Sequence, residues 1–98
     1  MISMNTVVVV GEQQVSSDLG GEVAILNLKN GVYYGLDEIG ARIWQLIQAP
    51  RPLAHVRDVI LEEYDVEPGR CESDLVTLLT ELLNEGLVEL KKDSEISL

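Results

Sequence analysis

The sequence contains no Phe, one Trp and three Tyr, so any core it builds must be filled by aliphatic side chains. A single cysteine, Cys71, excludes an internal disulfide. With His55 as the one histidine, no Cys/His cluster supplies the ligands of a zinc site, and neither a metal nor a cofactor is expected. Basic residues are also scarce: seven Lys and Arg stand against 17 Asp and Glu, a formal net charge of -10. Phosphate backbones and anionic lipid surfaces repel such a chain, which argues against nucleic acid and membranes as partners. No uncharged apolar run approaches the roughly 20 residues that cross a bilayer, and no basic segment precedes an apolar stretch at the N-terminus. Together with the unpaired cysteine, this predicts a cytoplasmic protein.

What is present suits one modest core. Hydrophobic residues make up 46% and charged residues 24% of 98 residues, which predicts a single domain over 1-98 with flexible tails at 1-5 and 91-98. The β-branched run Thr6 to Val10 reads as a first strand. Glu12 to Gly21 is polar, ends in two glycines and reads as a loop. Glu22 to Leu28 and Val32 to Leu36 read as a second and a third strand joined at Lys29-Asn30-Gly31. An Asn-Gly pair between apolar runs is a hairpin signal, because both residue types tolerate positive φ.

The period then changes. Asp37 is placed to cap a helix carrying Ile39, Ile43, Leu46 and Ile47, with Trp44 widening the apolar stripe, and Pro50 stops it. A second helix over Leu53 to Tyr64 would bury Leu53, Val56, Val59 and Ile60. A third, from Pro68 or Arg70, carries Leu75, Leu78, Leu79, Leu82 and Leu83 and ends at Gly86, a left-handed stop. Leu87 to Leu90 follows as a short extended segment. A three-stranded antiparallel sheet, three helices and that segment make an α+β domain with helices on one sheet face.

Catalytic machinery is not visible. His55 and Cys71 lie on different elements, and the acidic residues Glu62, Glu63, Asp65 and Glu67 read as a solvated surface rather than an acid/base or calcium site. No nucleophile elbow or phosphate loop occurs, so the chain is not expected to be an enzyme. Binding is what remains. The third strand, Val32, Tyr33, Tyr34, Gly35 and Leu36, is a candidate open sheet edge. Strict alternation puts Val32, Tyr34 and Leu36 on one face and Tyr33 on the other, unless Gly35 makes a bulge. Helix three has more apolar positions than one stripe holds: Cys71, Asp74, Leu75 and Leu78 adjoin the core-facing Leu75, Leu79, Leu82 and Leu83. A strand added at the edge would lie along that second stripe, although wide leucine stripes also serve as core alone.

The stretch Gly31-Val-Tyr-Tyr-Gly-Leu-Asp-Glu-Ile-Gly-Ala-Arg-Ile-Trp-Gln-Leu-Ile47 resembles the PqqD family, with Asp37 where that family often has Asn. The resemblance continues through Val56-x-x-Val-Ile60, Tyr64-x-Val66, Asp74-Leu75, Leu78-Leu79 and Gly86-Leu-Val88. It implies a winged-helix-like domain that recognises the leader segment of a ribosomally made precursor peptide. The leader would add a strand at Val32 to Leu36 and pack on Cys71, Asp74, Leu75 and Leu78. Within the family the chain looks most like the stand-alone leader-binding proteins of lasso-peptide biosynthesis, whose partners are a separate cysteine protease and a cyclase. The alternatives are a partner of a radical peptide-modifying enzyme and a DNA-binding winged helix. The second of these is opposed by Glu72, Asp74, Glu81 and Glu85 on or beside helix three. An open edge also leads to the expectation of a weak dimer through it.

Overall fold

In the computed structural model the described residues are 2-91. The elements are β1 (Val7–Val10), β2 (Gln14–Asp18), β3 (Val23–Asn27), β4 (Tyr33–Leu36), α1 (Glu38–Leu46), β5 (Arg51–Pro52), α2 (Leu53–Glu63), α3 (Pro68–Asn84) and β6 (Val88–Lys91). They form three helices and two small antiparallel sheets, ordered β5-β1-β6 and β2-β3-β4. The α+β class and the three helices match the reading of the sequence. The expected residues 92-98 of the C-terminal tail lie outside the described residues.

The make-up of the three-stranded sheet before the helices differs from expectation. The stretch read as a loop, Glu12 to Gly21, contributes β2, which pairs with β3 from Gln14 opposite Asn27 to Asp18 opposite Val23. Its residues Val15 to Asp18 are all exposed. An edge strand needs its backbone paired, not its side chains buried, so the polar sequence concealed it. The first strand pairs instead with the C-terminal segment, Val8 opposite Leu90 and Val10 opposite Val88. Val7 and Val8 are both buried, so consecutive residues of β1 face protein on opposite sides, as a strand covered on two faces requires.

The N-terminal segment read as a tail is tied down over residues 2-5. The first two amides of α2, Leu53 and Ala54, donate to the carbonyls of Thr6 and Met4 at 3.0 and 2.9 Å. Pro52, the N-cap residue, offers no side-chain acceptor, so these carbonyls satisfy donors that a helix start leaves unpaired. Ile2 and Met4 also pack against the core.

Local chemistry sets the other junctions. In the β3–β4 hairpin, Asn27 N donates to Val32 O at 2.9 Å and Gly31 N to Asn27 O at 2.8 Å. Gly31 alone takes positive φ there, +73°. Asn30 contributes differently from expectation: its side-chain oxygen accepts from Val32 N at 2.9 Å. Asp37 caps α1, with Oδ1 accepting from Gly40 N at 2.9 Å. At the end of α3, Gly86 has φ +74°, Leu87 N donates to Leu82 O, and Gly86 N to Leu83 O. This is the paired-bond stop that turns the chain into β6.

One cluster of buried side chains joins both sheets and all three helices, including Val8, Ile25, Ile47, Val56, Leu79 and Leu82. Aliphatic residues and Trp44 fill it, as the absence of Phe required. Leu82 is fully buried. Leu82→Glu should cost about 4 kcal/mol or more, a large part of the stability of a domain of this size. The expected result is loss of the cooperative thermal transition by circular dichroism; a folded, stable variant would place Leu82 outside the core.

Candidate peptide-binding groove

A strand has two hydrogen-bonding edges, and among the described residues β4 uses one. The Asn27–Val32 pair is bonded, and opposed residues alternate between bonded and non-bonded along an antiparallel ladder. Stepping by two from that pair, Ile25–Tyr34 and Val23–Leu36 are bonded, while Leu26–Tyr33 and Ala24–Gly35 are not. The N–H and C=O groups of Tyr33 and Gly35 therefore point away from β3, toward the open edge. The register runs without a bulge, so side chains alternate. Leu36 is buried and Tyr34 partly buried on the inner face, while Tyr33 is 69% exposed on the outer face.

Beside that edge lies a groove of about 690 Å³. One wall is Tyr34, Gly35 and Leu36 of β4 with the start of α1, and the other is the α2–α3 connection with the first half of α3. The apolar lining comes from Ile39, Ile43, Ile60, Val66, Leu75 and Leu78. Asp37, Asp65, Glu67, Arg70 and Asp74 add charge. Of these, Asp37 and Glu67 are committed to helix caps, Glu67 accepting from the amides of Gly69 and Arg70. Arg70 and Asp74 form an exposed ion pair at 3.7 Å.

The structure thus brings together Tyr34, Gly35, Leu36, Cys71, Asp74, Leu75 and Leu78. Val32 and Tyr33 are not among the lining residues: Val32 falls in the turn before β4, and Tyr33 points to the outer face, leaving its backbone as its share of the edge. Val66 and Arg70 of the far wall were not among the candidates. The Tyr64-x-Val66 motif was their one visible signal, because the α2–α3 connection reaches the groove only through the packing of the helices. The other edge of the same sheet, β2, meets a smaller hollow of about 210 Å³ at Asp18, and its residues Val15 to Asp18 are exposed.

Two titratable groups in the groove, Cys71 and Tyr34, are shifted toward their neutral forms. Burial, and then the carboxylate of Asp74, raises the Cys71 thiol above its ordinary value, so it is a poor nucleophile at neutral pH. His55 is exposed on α2 and outside the groove lining. Burial, followed by its hydrogen bond to Glu81, pushes Tyr34 up to about 12. A neutral acid with a raised folded pKa contributes stability that is full below pH 10 and lost as pH climbs through about 12. Among the described residues no group of His, Cys, Asp and Glu is arranged to hold a metal ion, and no helix is long and apolar enough to cross a membrane.

A family model described as coenzyme PQQ synthesis protein D (PqqD) matches residues 22–88. Among solved structures, TbiB1 in complex with the TbiA(β) leader peptide is 36% identical, with a TM-score of 0.78, covering 83% of this chain and 94% of that one. A lasso peptide synthetase B1 complexed with its leader peptide is 23% identical, with a TM-score of 0.75, covering 84% and 96%. The second likeness bears on the fold alone. None of the curated proteins compared with the chain matches it.

Two outcomes are expected of the free protein. In hydrogen exchange, the Tyr34 amide is protected while those of Tyr33 and Gly35 exchange freely; protection at Tyr33 and Gly35 would mean the ladder parity is reversed. Cys71, 8% exposed, reacts with a small thiol reagent far more slowly than free cysteine at pH 8. Rapid labelling would contradict its burial.

Proposed function

The chain belongs to the PqqD family, and on that footing we propose that it binds the leader segment of a ribosomally made precursor peptide as an added strand along β4. It then presents that peptide to a separate processing enzyme, a leader protease of lasso-peptide biosynthesis. The observation that carries this reading is the junction of an unpaired strand edge with an apolar groove at β4. Tyr33 and Gly35 offer N–H and C=O groups to an incoming backbone, each bond contributing about 1 kcal/mol net. Alternate side chains of the incoming strand then point into the groove between β4 and α3, where apolar burial adds affinity and shape adds selectivity.

The lasso-peptide assignment is supported by likeness to TbiB1, a protein solved with a leader peptide. The -10 charge of the whole chain and the acidic surface of α3 run against a DNA-binding reading. In this proposal cleavage falls to the partner cysteine protease, and ring closure to a cyclase of the same pathway. One surface feature supports the presentation step. The register sets Val15, Leu26 and Tyr33 in one row across the outer face of the sheet. Val15 and Tyr33 are largely exposed there, and a strand on the β4 edge leaves that row uncovered.

Leu78 is partly buried and lines the groove. Leu78→Glu places a charge against the incoming peptide and should weaken binding by at least about 1 kcal/mol, roughly fivefold. Isothermal titration with a synthetic leader from a precursor encoded beside the gene measures it. A folded Leu78→Glu variant that binds as tightly as wild type would move the groove elsewhere.

A further inference from the structure

The groove runs along the first half of α3. The α3 residues that line it stop at Leu78, and just beyond, the helix is tied to the sheet twice. The Tyr34 hydroxyl donates a hydrogen bond to Glu81 Oε1, and Asn27 Nδ2 donates to the main-chain oxygen of Glu85 at 2.8 Å. The first tie is made by a side chain in the last turn of α3 and the second by the main chain of its C-cap residue, Glu85. Their sheet partners share the inner face: Asn27 on β3, and Tyr34 opposite Ile25 on β4. Among the described residues no side-chain hydrogen bond joins the sheet to the first half of α3, where the groove opens.

Two directional contacts fix an angle that one leaves as a pivot. The leucines of α3 that pack on the core hold the helix close, but apolar contact is non-directional and permits sliding. We infer that the Tyr34–Glu81 pair is a positioning device for peptide binding: it sets the separation of the β4 edge from α3. Tyr34 acts at both ends of this arrangement, since it is a lining residue of the groove while its hydroxyl reaches Glu81. Glu81 acts through Tyr34 and lies outside the groove lining.

This rests on the peptide-binding reading, and the experiment separates the two. Binding of the same synthetic leader is measured by titration and by stopped-flow for wild type, Tyr34→Phe, Glu81→Ala, Glu81→Gln and the Tyr34→Phe/Glu81→Ala double variant, each checked for fold by circular dichroism. The expected result is a loss of roughly fivefold to tenfold in affinity for Tyr34→Phe, seen as faster dissociation. Glu81→Ala should lose as much, and the double variant no more than either single change. Glu81→Gln retains an acceptor for the hydroxyl and should stay within about twofold of wild type. If Tyr34→Phe weakens binding while Glu81→Ala does not, the hydroxyl touches the peptide directly and the positioning role is overturned. Wild-type affinity in both single variants overturns it as well. Absence of binding by the wild-type chain overturns the peptide-binding reading, and this inference with it.

Discussion

Among the described residues, strand β4 is hydrogen-bonded on one side only, and much of the remaining structure is arranged around that open edge. Its inner side chains, Tyr34 and Leu36, anchor it to the sheet and the helices. Its backbone at Tyr33 and Gly35 is left unpaired. Asp37 immediately ends the strand by capping α1, which stops the edge from running on and brings Ile39 and Ile43 to the groove. An exposed edge is usually blunted by charge, proline or a bulge. None of these lies within Tyr33–Leu36, so the edge is kept open beside a surface able to receive what pairs with it.

Helix α3 gives that surface its rigidity. Leu75, Leu79 and Leu82 sit in the core, while Leu75 and Leu78 also face the groove, so a single helix serves the fold with one stripe and the groove with the next. The ion pairs around it are modest. Arg57 meets Glu72 across α2 and α3 at 2.8 Å, and Arg42 meets Glu63 across α1 and α2 at 2.7 Å, all at partly or largely exposed sites where such pairs contribute little stability. Aliphatic burial and the terminal stop at Gly86 hold α3 in place, and the ties from Asn27 and Tyr34 orient it.

What was legible in the sequence was local. The Asp37 cap and the glycine stop at Gly86 each depend on residues within a turn of one another and lie where the sequence places them, whereas α1 ends at Leu46, before Pro50. The hairpin was legible in position but not in chemistry: Asn30 works through its side-chain oxygen rather than through positive φ. Strand β2 was concealed because Gln14–Asp18 lacks apolar alternation and owes its conformation to the backbone of β3. The C-terminal partner of β1 was concealed because it lies 78 to 84 residues away, at Val88–Lys91. The groove was half legible. Its β4 and α3 walls follow from alternation and from the width of a leucine stripe. The Tyr34–Glu81 contact spans 47 residues, and nothing in either residue's neighbourhood announces the other.

The proposed function requires an extended peptide to pair with β4 and pack on α3. An amide NMR titration with the leader peptide of the neighbouring precursor tests it most directly. Shifts are expected to concentrate at Tyr33 to Leu36 and Cys71 to Leu78, with the β2 edge unchanged. Shifts that are absent, or confined to β2 or the β5-β1-β6 sheet, would contradict it.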